Sequence, residues 1–219
     1  MAEFLGTFSL VFIAAGAVMA DELSDGLTTP LGPALSSGLI VMIIVYAIGN
    51  ISGAHINPAV TLGFTLTGRI SWTVALTYWS AQLGGAVAAA GTLRILLGMV
   101  ADLGGHTSSG SIIESLVMEV VLTFFLMFTI WMVVSNSHRV GSASGLIVGG
   151  VVALGTFIGG PISGGSMNPA RSFGPALVGW VWADHWVYWI GPMIGAALGA
   201  SIFLCITRSL IKIRKTWNH

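Results

Sequence analysis

Two short polar segments interrupt an otherwise apolar chain. The first is Ile51-Ser-Gly-Ala-His-Ile-Asn-Pro-Ala-Val-Thr-Leu-Gly63, and the second is Ile162-Ser-Gly-Gly-Ser-Met-Asn-Pro-Ala-Arg-Ser-Phe-Gly174. They share Ile, Ser, Gly, Asn, Pro, Ala and the final Gly at matching positions. Asparagine is a favoured helix N-cap, and proline suits the first helical position. Asn57-Pro58-Ala59 and Asn168-Pro169-Ala170 are therefore read as two helix starts. A helix start presents unpaired amides and a partial positive charge. Two of them meeting inside a membrane would repel cations and protons, yet donate hydrogen bonds to a neutral solute. Gly53, Gly160, Gly164 and Gly165 let irregular backbone expose carbonyl acceptors beside them. A lone Asn-Pro-Ala is most often only a capped turn; two copies in register, each after Ile-Ser-Gly, favour a site.

Four further residues invite chemistry. Arg171 lies in the first turn of the second short helix, and a cation at membrane depth marks function by default. It is read as pore-lining and not as snorkelling to the surface. Glu3 and Glu119 occupy equivalent places in two spans. They are read as acceptors that support the re-entrant loops, with a proton relay as the weaker alternative. His55 either lines the inner vestibule or bonds loop backbone. His106, His138, His185 and His219 are read as solvent or interface residues. The single cysteine, Cys205, excludes an internal disulfide and a cysteine-rich metal site, and it is read as a packing residue. No metal and no cofactor are expected.

The elements that must hold these residues follow from composition. Of 219 residues, 7% are charged and 55% hydrophobic. That excludes a soluble domain and indicates a multi-pass membrane protein. Zero net charge gives no hint of nucleic acid. No cleavable signal is expected, since the first apolar run is long enough to span. Six spans emerge, about 20 residues each. They cover roughly 2–20, 33–48, 72–97, 113–134, 142–158 and 186–207, with short apolar pieces after each Asn-Pro-Ala. The pieces are too short to cross alone.

The chain is also a tandem repeat. Glu3-x-x-x-Thr7-Phe8 returns as Glu119-x-x-x-Thr123-Phe124, Ser37-Gly-Leu-Ile-Val41 as Ser144 to Val148, and Tyr78-Trp79 as Tyr188-Trp189. Repeat one is placed at about 1–98 and repeat two at about 111–210, within one domain of 1–219. Each half holds three spans, an odd number, so the halves insert in opposite directions. The expected fold class is thus all-α integral membrane, with six transmembrane helices plus two re-entrant half-helices in an inverted repeat. Arg69, Arg139, Arg208, Lys212, Arg214 and Lys215 fall on the side of both termini, which is read as cytoplasmic. Trp72, Trp79, Trp180, Trp182, Trp186, Trp189 and Trp217 are read as an interfacial belt, and Gly84, Gly85, Gly91, Gly195 and Gly199 as close helix contacts.

These motifs, with Tyr188-Trp-Ile-Gly-Pro, make the chain similar to the major intrinsic proteins, the aquaporins and aquaglyceroporins, along essentially its whole length. The resemblance implies a homotetramer with one pore per subunit, multi-pass in a plasma (inner) membrane with both termini cytoplasmic. It also implies passive, bidirectional conduction. Counted from the motifs, the family's outer selectivity filter falls at Ser37, Thr156, Gly165 and Arg171. Three small residues there suggest a wide opening, most like the nodulin-26-like branch. Its small-filter members are associated with neutral metalloid hydroxides. Ser172, Ala176, Tyr188 and Trp189 instead look like the water-channel pattern.

The leading expectation is a channel for water and small uncharged solutes such as glycerol, urea, or boric, silicic or arsenous acid. A strict water channel is the alternative. A secondary transporter would need a coupling site beyond Glu3, Glu114 and Glu119. An enzyme would need a nucleophile and base, and no such pair is evident. The partners expected are the lipid bilayer, the solutes and sister subunits.

Overall fold

The computed structural model describes residues 1–217, with side chains as far as Thr207. The side chains of Arg208, Lys212, Arg214, Lys215, Trp217 and His219 lie outside the described part. Eight helices carry the architecture: α1 Ala2–Leu23, α2 Leu31–Ser52, α3 Pro58–Leu66, α4 Trp72–Leu97, α5 Ile112–Ser135, α6 Ser144–Ser163, α7 Pro169–Gly179 and α8 Val187–Trp217. Six are long and apolar enough to cross a membrane. The other two, α3 and α7, have 9 and 11 residues. At 1.5 Å per residue they reach roughly half of a 30 Å hydrocarbon layer.

Two of the boundaries that differ from the sequence reading involve proline. Helix α2 starts at Leu31, ahead of Pro33. Proline is tolerated there because first-turn amides have no helical partner. Helix α6 runs through Gly159-Gly160-Pro161 to Ser163, where Gly164 closes it at φ 84°. A proline in the last turn forfeits only one bond, and left-handed glycine is a common helix stop.

The repeat governs packing. Helix α1 packs on α2 and α4, and α5 packs in the same way on α6 and α8. The halves meet chiefly along α2 and α6. The short helices are exchanged: α3 lies mainly against α8, and α7 against α4. Lipid offers no hydrophobic drive for these contacts, so close backbone approach must supply dispersion energy. A Cβ on Gly85 would sit 2.3 Å from the Phe4 carbonyl oxygen, and one on Gly195 would sit 2.3 Å from that of Val120. Gly199 is tight but less so, with the Phe124 carbonyl oxygen at 3.0 Å, whereas Gly84 meets only ordinary contacts and Gly91 faces open space. Only part of the expected small-residue set therefore serves helix contact within one subunit. Gly195→Val should lower thermal stability in detergent by about 1–3 kcal/mol or more. Gly91→Ala should leave it unchanged, and equal effects would mean that α5–α8 packing is not this tight.

The tryptophan belt also divides. Trp72, Trp180, Trp182 and Trp186 are exposed. Trp79 and Trp189 turn inward, Trp79 donating to the Pro58 carbonyl at 3.1 Å and Trp189 to His185 Nε2 at 3.1 Å.

Candidate functional site

Each asparagine caps its own half-helix and reaches across to the other. Asn57 Oδ1 accepts from the Ala59 amide at 2.8 Å, while Asn168 Oδ1 accepts from Ala170 at 3.0 Å and Arg171 at 3.3 Å. Asn57 Nδ2 donates to the Met167 carbonyl at 2.8 Å, and Asn168 Nδ2 donates to the Ile56 carbonyl at 2.9 Å. Pro58 and Pro169 hold the first helical positions, with Ala59 and Ala170 fully buried beside them. A primary amide carries two N–H groups. One is used in each crossing bond, so each asparagine keeps a second for a solute.

The loops before the asparagines run in left-handed backbone at matching places: Gly53, Ala54 and Ile56 in one half, Gly164, Gly165 and Met167 in the other. Ile56 holds φ 44°, a region that a β-branched residue avoids. Such strain persists only where the surroundings over-determine it. The buried carboxylates do so here. Glu3 accepts from Ser52 Oγ at 2.6 Å and from the amides of His55 at 3.0 Å and Ile56 at 2.6 Å. Glu119 accepts from Ser163 Oγ at 2.7 Å and from the amides of Ser166 at 2.9 Å and Met167 at 2.7 Å. Gln82 adds a 2.8 Å bond to Glu3, whereas Pro192 stands at the matching place in α8.

One cavity of about 510 Å³ gathers the site. Its wall repeats the sequence duplication: Leu10 with Leu126, Val41 with Val148, Val45 with Val152, Asn57 with Asn168. Val60 and Arg171 are also counterparts, and both line it. Ser37, Thr156, Gly165 and Arg171 all contribute to this wall. Ser37 Oγ donates to the Pro33 carbonyl at 2.8 Å, which leaves its lone pairs for the cavity. Arg171 is buried and donates from Nη1 to the Gly104 carbonyl at 2.8 Å. Gly165 is small for a reason unrelated to solute size. It has φ 65°, and a Cβ there would meet Thr156 Cα at 2.9 Å.

The segment after α4 enters the cavity. Ala101, Asp102, Leu103 and Gly104 all have positive φ, a single left-handed turn. It seats Gly104 against the Ala15 carbonyl of α1, where a Cβ would be 2.3 Å away. Gly104, Gly105, His106, Thr107 and Ser109 then line the cavity. His106 is thus no solvent residue: its Nδ1 lies 2.9 Å from Ser172 Oγ. Burial, then the charges of Arg171 and His185, hold its pKa well below the ordinary value. His185 is buried as well, edge-on to Trp182 and bonded by Trp189. The His55 ring bonds no loop backbone among the described residues. His55 lines the cavity, and its ring bonds Thr61 Oγ1 at 3.2 Å while its amide donates to Glu3.

The model of the major intrinsic protein family matches residues 1–203. The chain belongs to that family. Aquaporin NIP1-1 of Oryza sativa subsp. japonica is 46% identical over 201 residues, covering 91% of this chain and 71% of that protein. Probable aquaporin TIP3-2 of Arabidopsis thaliana is 43% identical over 216 residues, covering 93% and 81%. The X-ray structure of the aquaglyceroporin from Plasmodium falciparum superposes with a TM-score of 0.86 at 24% identity over 97% of both chains. That likeness concerns the fold. For a major intrinsic protein, the exchanged half-helices and the doubled Glu–loop brace are the parts on which the cavity depends.

Proposed function

We propose that this family member is a passive, bidirectional channel for water and small uncharged polar solutes that refuses protons and ions. The observation that carries the reading is one cavity on which two helix starts converge, each with an asparagine N–H to spare. Two positive helix ends and the Arg171 guanidinium disfavour any cation there. The loop carbonyls and the Ser37 lone pairs supply acceptors, so a neutral solute exchanges its water partners for protein ones.

Ser37, Thr156, Gly165 and Arg171 form the filter in this reading. With no aromatic side chain among them, glycerol, urea and the neutral hydroxides of boron, silicon or arsenic are the solute class. A transporter would need an ionisable coupling group on the cavity. Glu3 and Glu119 are instead engaged with the loops, and neither is among the lining residues. No reaction is assigned to the protein. We propose a homotetramer in a plasma (inner) membrane, as the family resemblance implies, with both termini cytoplasmic because Arg69 and Arg139 fall on the side of Met1 in the inverted repeat.

Stopped-flow shrinkage of proteoliposomes in glycerol, urea and boric acid gradients tests the solute range. Because Gly165 is crowded by backbone, Thr156→Phe is the better probe of width. It should cut glycerol flux at least about tenfold and water flux far less. Equal loss of both would remove Thr156 from the constriction, and wild-type flux confined to water would identify a strict water channel.

A further inference from the structure

We infer that His106 supplies to the outer side of the cavity the imidazole that His55 supplies to the inner side, and that the two form a pair of hydrogen-bond acceptors selecting neutral solutes rich in hydroxyl groups. The inference rests on the channel reading above. His55 belongs to the first repeat, and its counterpart in the second is Ser166. His106 lies in the connection between the repeats and owes nothing to the duplication. Yet the two rings meet the same three neighbours. A Cβ on Gly53 would lie 3.2 Å from His55 Cδ2, and one on Gly164 would lie 2.6 Å from His106 Cδ2. His55 Nδ1 meets Thr61 Oγ1, and His106 Nδ1 meets Ser172 Oγ. The His55 ring is 5.2 Å from that of Tyr78, and the His106 ring is 5.4 Å from that of Tyr188. Gly53 and Gly164, Thr61 and Ser172, and Tyr78 and Tyr188 are repeat partners. The pseudo-twofold therefore prepares two imidazole sockets, and two unrelated stretches of chain fill them.

One assignment of the hydroxyl hydrogens gives both rings the same use. A carbonyl can only accept. Thr61 donates to the Asn57 carbonyl at 3.0 Å and accepts from Gln82 Nε2 at 3.0 Å. We assign that single hydrogen to the carbonyl, which makes His55 Nδ1 the donor. Ser166 lies 3.0 Å from the Asn168 carbonyl, and giving its hydrogen to that oxygen makes Ser172 the donor in their 2.6 Å bond. With that assignment His106 Nδ1 donates to Ser172. In this assignment both rings are neutral Nδ1–H tautomers with an Nε2 lone pair left over. Both residues line the cavity. His185 differs, since its Nε2 is occupied by Trp189. Arg171 and its repeat partner Val60 line the same cavity, so a donor accompanies the acceptors in one half only. A solute with several hydroxyls finds an acceptor before and after the asparagine pair.

Two measurements on the full-length protein in liposomes decide this. Solid-state NMR with labelled histidine, assigned through His55→Gln and His106→Gln, should show both rings as Nδ1–H tautomers at neutral pH. An Nε2–H tautomer at either site overturns the proposal. The second compares glycerol with water permeability. Glutamine puts its oxygen where Nε2 stood, whereas asparagine keeps only a donor at the place of Nδ1. His106→Asn should lower the glycerol-to-water ratio about fivefold, the scale of one lost neutral hydrogen bond, and His106→Gln should retain most of it. The reverse order means that the ring only braces Ser172, and it overturns the acceptor role. Should the wild type carry no glycerol above empty liposomes, the channel's solute range fails, while the tautomers still decide whether the sockets hold acceptors.

Discussion

Arg171→Val should raise proton and cation leak by at least about tenfold, the factor set by 1.4 kcal/mol of barrier. The substitution gives the outer half the residue that its repeat partner, Val60, already carries in the inner half. It removes the buried guanidinium and its bond to the Gly104 carbonyl, while the asparagine caps keep their partners. Dye-reported proton flux in proteoliposomes under a clamped potential reads the leak directly. An unchanged leak would mean that the two half-helix ends exclude cations unaided. Neutral-solute flux should fall less than selectivity does, because Ser37 and the loop carbonyls remain.

The second large effect concerns Glu119. Its alanine variant leaves the amides of Ser166 and Met167 and the hydroxyl of Ser163 buried without the carboxylate. Each orphaned group costs about 1–3 kcal/mol, so the total approaches the whole stability of an ordinary domain. Met167 at φ 53° also loses the contact that holds it in left-handed backbone. Glu119→Ala should therefore fail to give a stable, conducting protein. Glu119→Gln should be intermediate, since one of its two atoms can no longer accept. Detergent melting temperature and water flux read both. A normal melting temperature for Glu119→Ala would show that α7 and α4 hold the second loop by packing alone.

Much of this was legible because the duplication labels it. Matching positions identify the half-helices, the paired carboxylates and the glycine contacts at 85 and 195 without any structural input. The segment between the repeats has no second copy. Its left-handed turn at 101–104 and the entry of His106 depend on contacts with α1 and α7 that no local propensity encodes. One clue was present. Tyr78-Trp79 and Tyr188-Trp189 are duplicated, yet His55 has only a serine as its counterpart, which leaves an aromatic neighbour without a ring to face. Gly165 misled for a different reason. Smallness at a lining position suggests an open pore, but here it answers to backbone crowding, so Ser37 and Thr156 carry the argument about width.

The central claim is passive conduction of neutral solutes, and the dependence of glycerol flux on concentration and on ion gradients tests it most directly. The account predicts flux that rises linearly with the gradient, equal in both directions, and unmoved by proton or sodium gradients or by membrane potential. Saturable glycerol uptake driven by an imposed proton or sodium gradient would contradict it.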